Sequence, residues 1–146
     1  VDSYLIGAAG DRVTAAADVV FDSLNNLPFI LPGAPNGLRT ALDAIARQHR
    51  ITLAPVIEAD SLPLQKALVA SERLYTVLPL HAVWNEVADR RLQAARIVDP
   101  PFQRTVSMVL AKSKGPPRAV SAVASRIVQI VDEMARSGMW RPSASA

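Results

Sequence analysis

Apolar residues fall in short blocks broken by proline, glycine and polar residues, and between several blocks the spacing changes to threes and fours. Continuous or alternating apolar runs predict strands over residues 3–6, 27–31, 51–57, 74–78, 92–98 and 105–111. Pro55 inside the third run calls for an edge position or a late start. Helical spacing appears after Asn36, a plausible N-cap, where Leu38, Ala41, Leu42, Ile45 and Ala46 form one stripe ending near His49. Asp60-Ser61 opens a second helix, with Pro63 tolerated in its first turn and Leu64, Leu68 and Val69 as its apolar side. Val19, Val20, Phe21 and Leu24 predict a short helix, and residues 80–89 another, carrying Val83, Trp84 and Val87. Pro116-Pro117 opens the longest helix, in which Val120, Val123, Ile127, Ile130 and Met134 recur at three and four, with Gly138 as its stop and residues 142–146 as a frayed tail. Strands alternating with helices predict an α/β layer fold with a largely parallel sheet and flanking helices.

Composition narrows this picture. Half of the 146 residues are hydrophobic, which suffices for a core, and few are aromatic, so small aliphatics must pack it. With no cysteine there is no disulfide framework and no thiolate metal site. The apolar runs are too short to span a bilayer. The net charge of +3 is mild and its basic residues are dispersed, so the charges read as a solvated surface and this chain alone should not grip DNA. The chain begins at Val1 and almost immediately enters a strand, which suggests that something upstream has been cut away.

Four segments, taken in order, resemble the regulatory domain of LysR-type transcription regulators: Leu27 to Arg39, a strand, a proline- and glycine-bearing loop and a helix opening on Gly-Leu-Arg; Glu58 to Ala70, ending in Leu-Val-Ala; Tyr75 to Pro79; and Ile97 to Val109, followed by a long terminal helix. No one segment is specific, but their order and spacing are, over about residues 3 to 136. The resemblance implies a periplasmic-binding-protein-like fold: two α/β lobes joined by two crossover strands, with a small effector in the cleft. On that basis residues 24–99 are one complete lobe, the second; residues 3–6 and 105–111 are the crossover strands; and residues 117–137 are the terminal helix of the first lobe. The start of the first lobe and the DNA-binding winged helix-turn-helix would lie outside the chain. The resemblance also implies a cytoplasmic bacterial homo-oligomer, such as a dimer, that binds a small-molecule effector, touches DNA only through the absent N-terminal domain, has no membrane partner and no cofactor, and is not an enzyme. An extracytoplasmic solute-binding protein shares the architecture and is the alternative. Where family members carry glycines, this chain has Ser71-Glu72-Arg73-Leu74, and a positive φ at Glu72 or Leu74 would be strained.

Candidate chemistry follows from helix ends. In open α/β sheets ligands bind beyond the carboxyl ends of the strands, where helix N-termini offer free N–H groups. Gly33, Ala34, Asn36, Asp60, Ser61 and Leu62 are therefore the candidate cleft wall. Asn36, Asp60 and Ser61 are equally explained as helix caps alone. The Asp60 charge opposes a carboxylate ligand, so either Asp60 faces away or the effector is not a simple anion. His49 and His81 stand in no metal-ligand spacing, Ser107 and Ser121 lack a nucleophile-elbow context, and Gly7-Ala8-Ala9-Gly10 lacks both the dinucleotide and the P-loop patterns. No convergent catalytic set is visible. The stripe on the last helix is read either as core or as a partner interface.

Overall fold

The computed structural model describes residues 1–111 and 118–140. Among the described residues six strands and four α-helices follow in the order β1 (Ser3–Ala8), β2 (Asp18–Val20), β3 (Pro28–Leu31), α1 (Gly37–His49), β4 (Ala54–Glu58), α2 (Leu62–Glu72), β5 (Thr76–Pro79), α3 (Trp84–Ala88), β6 (Leu92–Val98) and α4 (Arg118–Arg136). Pro116-Pro117 and residues 142–146 lie outside the described residues.

The strands form a four-stranded sheet in the order β2-β6-β1-β5 and a pair, β3-β4. The two join at the head of β5, where Phe29 bridges Tyr75 in parallel, Ile30 N–H donates to Tyr75 O at 2.8 Å and Tyr75 N–H to Pro28 O at 2.9 Å. Strand β1 is antiparallel to both neighbours, while β2 runs parallel to β6 and β3 to β4. Five strands therefore share one direction and β1 alone opposes it. The largely parallel expectation holds for those five.

Two apolar layers cover the sheet. Leu5, Phe29, Leu31, Val77 and Ile97 pack against Leu38, Leu42 and Ala46 of α1 on one face. Tyr4, Ile6, Ile30 and Leu78 pack against Val69 and Val83 on the other. Each fully buried Leu, Ile or Phe contributes about 1.5–3 kcal/mol. Asn36 caps α1 as expected, its Oδ1 accepting from Leu38 N–H at 2.9 Å and Arg39 N–H at 3.4 Å.

Several expectations are corrected. Val19 and Val20 belong to β2, because the β6 edge offers them a ladder; only Phe21–Leu24 turns, as a 3-10 helix. Residues 80–89 break at Val83 into a 3-10 turn, Leu80–Ala82, and α3. On α2 Val69 is buried and Leu68 packs against the core as expected, but Leu64 is exposed and Gln65 is buried in its place. The positive φ after α2 falls on Arg73, sparing both neighbours. The expected strand at 105–111 joins no ladder among the described residues, since no edge lies beside it, and Val106 and Val109 stand exposed. Just before it, Gln103 bridges Asp2 antiparallel and Phe102 O accepts from Ser3 N–H, so the chain enters and leaves the sheet side by side. Strand β4 does start late and does lie at the edge. Val56 is the extra residue in a register shift beside Pro55, which spares the ladder a missing donor.

Candidate ligand-binding edge

Because five strands point the same way, their carboxyl ends and the start of β1 share one edge of the sheet, with Ser3 opposite Pro79. Two loops stand side by side there. One runs from Pro32 to Asn36 and contains a cis Ala34–Pro35 peptide; the other runs from Ala59 to Ser61. Ala59 N–H donates to Leu31 O at 2.9 Å, which continues the β3-β4 pairing into the loops. The six residues expected at the cleft wall are thereby brought together: Gly33 and Asn36 are half-buried, and Ala34, Asp60, Ser61 and Leu62 are exposed.

The two helix ends at this edge differ. In α1 the Asn36 side chain occupies amides of the first turn. In α2 the N-cap Ser61 makes no side-chain cap and Pro63 contributes no N–H, so first-turn amides of α2 face outward with the dipole end. Asp60, exposed beside them, adds a negative charge to the same end.

Two side chains that patterning did not single out, Arg39 and Gln65, hold this geometry. Arg39 donates from Nη1 to Glu58 Oε1 at 2.9 Å and to Pro32 O at 3.3 Å, and from Nε to Asp43 Oδ2 at 2.9 Å. Burial works against that charge, but the Glu58 and Asp43 carboxylates outweigh it and raise the Arg39 pKa. The guanidinium thus clamps the first loop to the end of β4. Gln65, buried, donates from Nε2 to Ala59 O at 2.6 Å and accepts from Thr76 Oγ1 at 3.2 Å. It fixes the second loop against β5. Its sequence signal is a polar residue one turn before Val69 on the face that meets the sheet.

Two buried polar atoms at this edge, Ser3 Oγ and His81 Nδ1, have no hydrogen-bond partner among the described residues. The His81 ring stacks on Trp140 with centroids 4.6 Å apart, and burial, then Arg104, push its pKa down. Among the described residues no group of three His, Cys, Asp or Glu could hold a metal ion, and no helix is long and apolar enough to cross a membrane.

Comparison with known proteins agrees with this architecture. The family profile described as LysR substrate binding domain matches residues 2–131. The chain is 24% identical over 136 residues to the HTH-type transcriptional regulator BbuR of Bordetella bronchiseptica, covering 93% of this chain and 42% of that protein. The regulatory domain of CcmR from Synechocystis PCC6803, in complex with 2-PG, superposes with a TM-score of 0.70 at 17% identity, over 88% of this chain and 62% of that one. The effector binding domain of QuiR, in complex with shikimate, gives a TM-score of 0.70 at 13% identity, over 90% and 62%. The chain therefore spans less than two thirds of each of these proteins, and the structural likenesses speak to the fold.

Proposed function

This chain belongs to the LysR substrate binding domain family, and from that premise we propose that it is the effector-sensing and oligomerisation module of a bacterial transcription regulator. The effector is a small molecule, seated against the carboxyl edge at Gly33, Ala34, Asn36, Asp60, Ser61 and Leu62. The observation that carries this reading is the pairing of two helix N-termini on adjacent, internally clamped loops at the edge where α/β sheets take ligands. The relatives support it in kind: one is a transcription regulator, and two regulatory or effector-binding domains are described with a small molecule bound.

The mechanism is a population shift. An effector that prefers one packing of this lobe against the rest of the regulator biases the spacing of DNA-binding domains supplied by other residues of the protein. The chain senses rather than catalyses, works in the cytoplasm as part of a homo-oligomer, and touches DNA only through that separate domain. Asp60 is exposed, so it repels a carboxylate only weakly through solvent, and an anionic effector remains compatible with the edge.

Calorimetric titration with shikimate and related small hydroxy acids tests the location. The expected result is a weak saturable heat that disappears in Gly33→Trp, whose indole adds bulk at the proposed contact surface. Saturable heat that survives both Gly33→Trp and Ser61→Trp would place the ligand elsewhere.

A further inference from the structure

The opposite end of the sheet carries a second feature. β1 places its two ends about 17 Å apart at the usual rise per residue, and at the Ala8 end the chain turns through Gly10 (φ +77°) into a loop that folds back over the sheet. Asp11 organises this loop. Its Oδ1 accepts from Val13 N–H at 2.9 Å and Thr14 N–H at 3.1 Å, and its Oδ2 from Tyr75 Oη–H at 2.6 Å. Thr14 is buried against β1 so closely that a Cβ on Gly7 would lie 2.7 Å from the Thr14 hydroxyl. At its far end Ala17 O accepts from Arg96 N–H at 2.8 Å. The loop is therefore a wall pinned at both ends, so its shape precedes any ligand.

Beside this loop lies an open groove of about 570 Å³, within the size range of small-molecule sites, with Ala15, Ala16, Ala17 and Arg90 exposed along it. Its walls are mostly the methyl groups of Ala15, Ala16, Ala17 and Ala94 with Leu92, and its polar groups include Gln93 and Arg90. No carboxylate lines it. Arg90 sits in a left-handed turn (φ +56°), and the neighbouring Asp89 pairs with Arg91 at 3.5 Å, leaving the Arg90 guanidinium without an acidic partner among the described residues. Gln93 Oε1 lies 3.5 Å from the Thr14 hydroxyl, and its amide N–H groups have no protein acceptor among the described residues. Of the acids nearest the groove, Asp11 is held by Val13, Thr14 and Tyr75, Asp18 by Arg96, and Asp89 by Arg91.

We propose that this groove is a second ligand site, taking a small aliphatic carboxylate whose two oxygens meet Arg90 and Gln93 and whose alkyl body lies among the alanine methyls. A guanidinium pairs with a carboxylate through two parallel hydrogen bonds, and the short side chains leave room for a hydrocarbon and little else. The site stands apart from the carboxyl edge and does not depend on what binds there.

The test is an amide-resolved NMR titration of the full chain with butyrate and, separately, with inorganic phosphate. Butyrate at millimolar concentration should shift Gly10, Ala16 and Gln93 saturably and leave Gly33, Asn36 and Ser61 in place. Arg90→Gln should weaken the response by about tenfold, as loss of a charge-assisted pair does. Ala16→Leu, at an exposed position that tolerates bulk, should abolish it by filling the space. No saturable shift, an undiminished response in Arg90→Gln, or equal saturation by phosphate (a bare-anion site with no use for the apolar wall) would each overturn the proposal.

Discussion

Helices α1 and α4 are both amphipathic, and they end up in opposite circumstances. Leu38, Leu42 and Ala46 of α1 are buried beneath the sheet, whereas Val120, Val123, Ile127 and Ile130 of α4 remain exposed and only Ala124 is buried. α4 and the segment from Thr105 to Leu110, itself largely exposed, line open apolar grooves together, and beyond the helix Trp140 stacks on His81 after β5. A stripe at helical spacing says that a helix needs a partner surface. Whether the surface lies in the same chain is a separate matter, decided by which strands are there to receive it.

The largest expected effect separates the two helices directly. Leu42→Ala should lower stability by about 2–5 kcal/mol, as cavity-forming core truncations do, while Ile127→Ala should cost less than about 1 kcal/mol. Urea unfolding of both variants makes the comparison. Equal losses would show that α4 is packed as firmly as α1.

The second expected effect is on association. An apolar stripe this open should draw chains together at tens of micromolar, and Val123→Glu combined with Ile127→Glu should return them to monomers without unfolding the lobe. Sedimentation velocity reads both outcomes, and a parent chain already monodisperse and monomeric would break the comparison.

Capping sharpens it further. Asn36→Ala should cost about 1 kcal/mol, because Oδ1 holds two first-turn amides of a helix that the core depends on. Thermal or urea unfolding checks this, and an unchanged midpoint would mean that packing alone sets α1.

The smallest effects concern charge. Lys66 Nζ donates to Glu86 Oε1 at 2.6 Å and ties α2 to α3, and that hydrogen bond holds the Glu86 carboxyl below its ordinary pKa despite burial. A depressed folded pKa stabilises the protein above the unfolded value of 4.5 and loses that contribution as pH falls through the lower, folded value. Glu86→Gln should therefore be less stable than the parent at pH 6, and the gap should narrow as pH falls below 4.5. In contrast, the exposed Arg126–Glu133 pair on α4 should contribute nothing measurable, so Arg126→Ala should leave the unfolding midpoint unchanged.

The same contrast explains what was legible in the sequence. The start and stripe of α1 could be read because a cap and a periodic core face are local facts. The stripe of α4 was equally legible, but its partner was not. On α2 only Leu64 was misplaced, because Gln65 takes the buried position and satisfies its amide through Ala59 O and Thr76, contacts that exist only once β4 and β5 are in place. Residues 105–111 carry strand-like chemistry yet need a neighbouring edge to become a strand. β2 was hidden for the converse reason, since β6 supplies an edge that the sequence around Val19 does not announce. At the site, Asn36 and Ser61 were legible as helix starts, whereas Arg39 and Glu58 come together only through the β3-β4 pairing that sets their loops side by side.

The central claim, a sensing module of a transcription regulator, is tested most directly by the polypeptide made from the complete reading frame that encodes Val1. The account predicts a helix-turn-helix domain followed by the remaining part of a first lobe, upstream of β1. A secretory signal in that place, leading straight into the lobe, would contradict it and make the protein an extracytoplasmic solute binder.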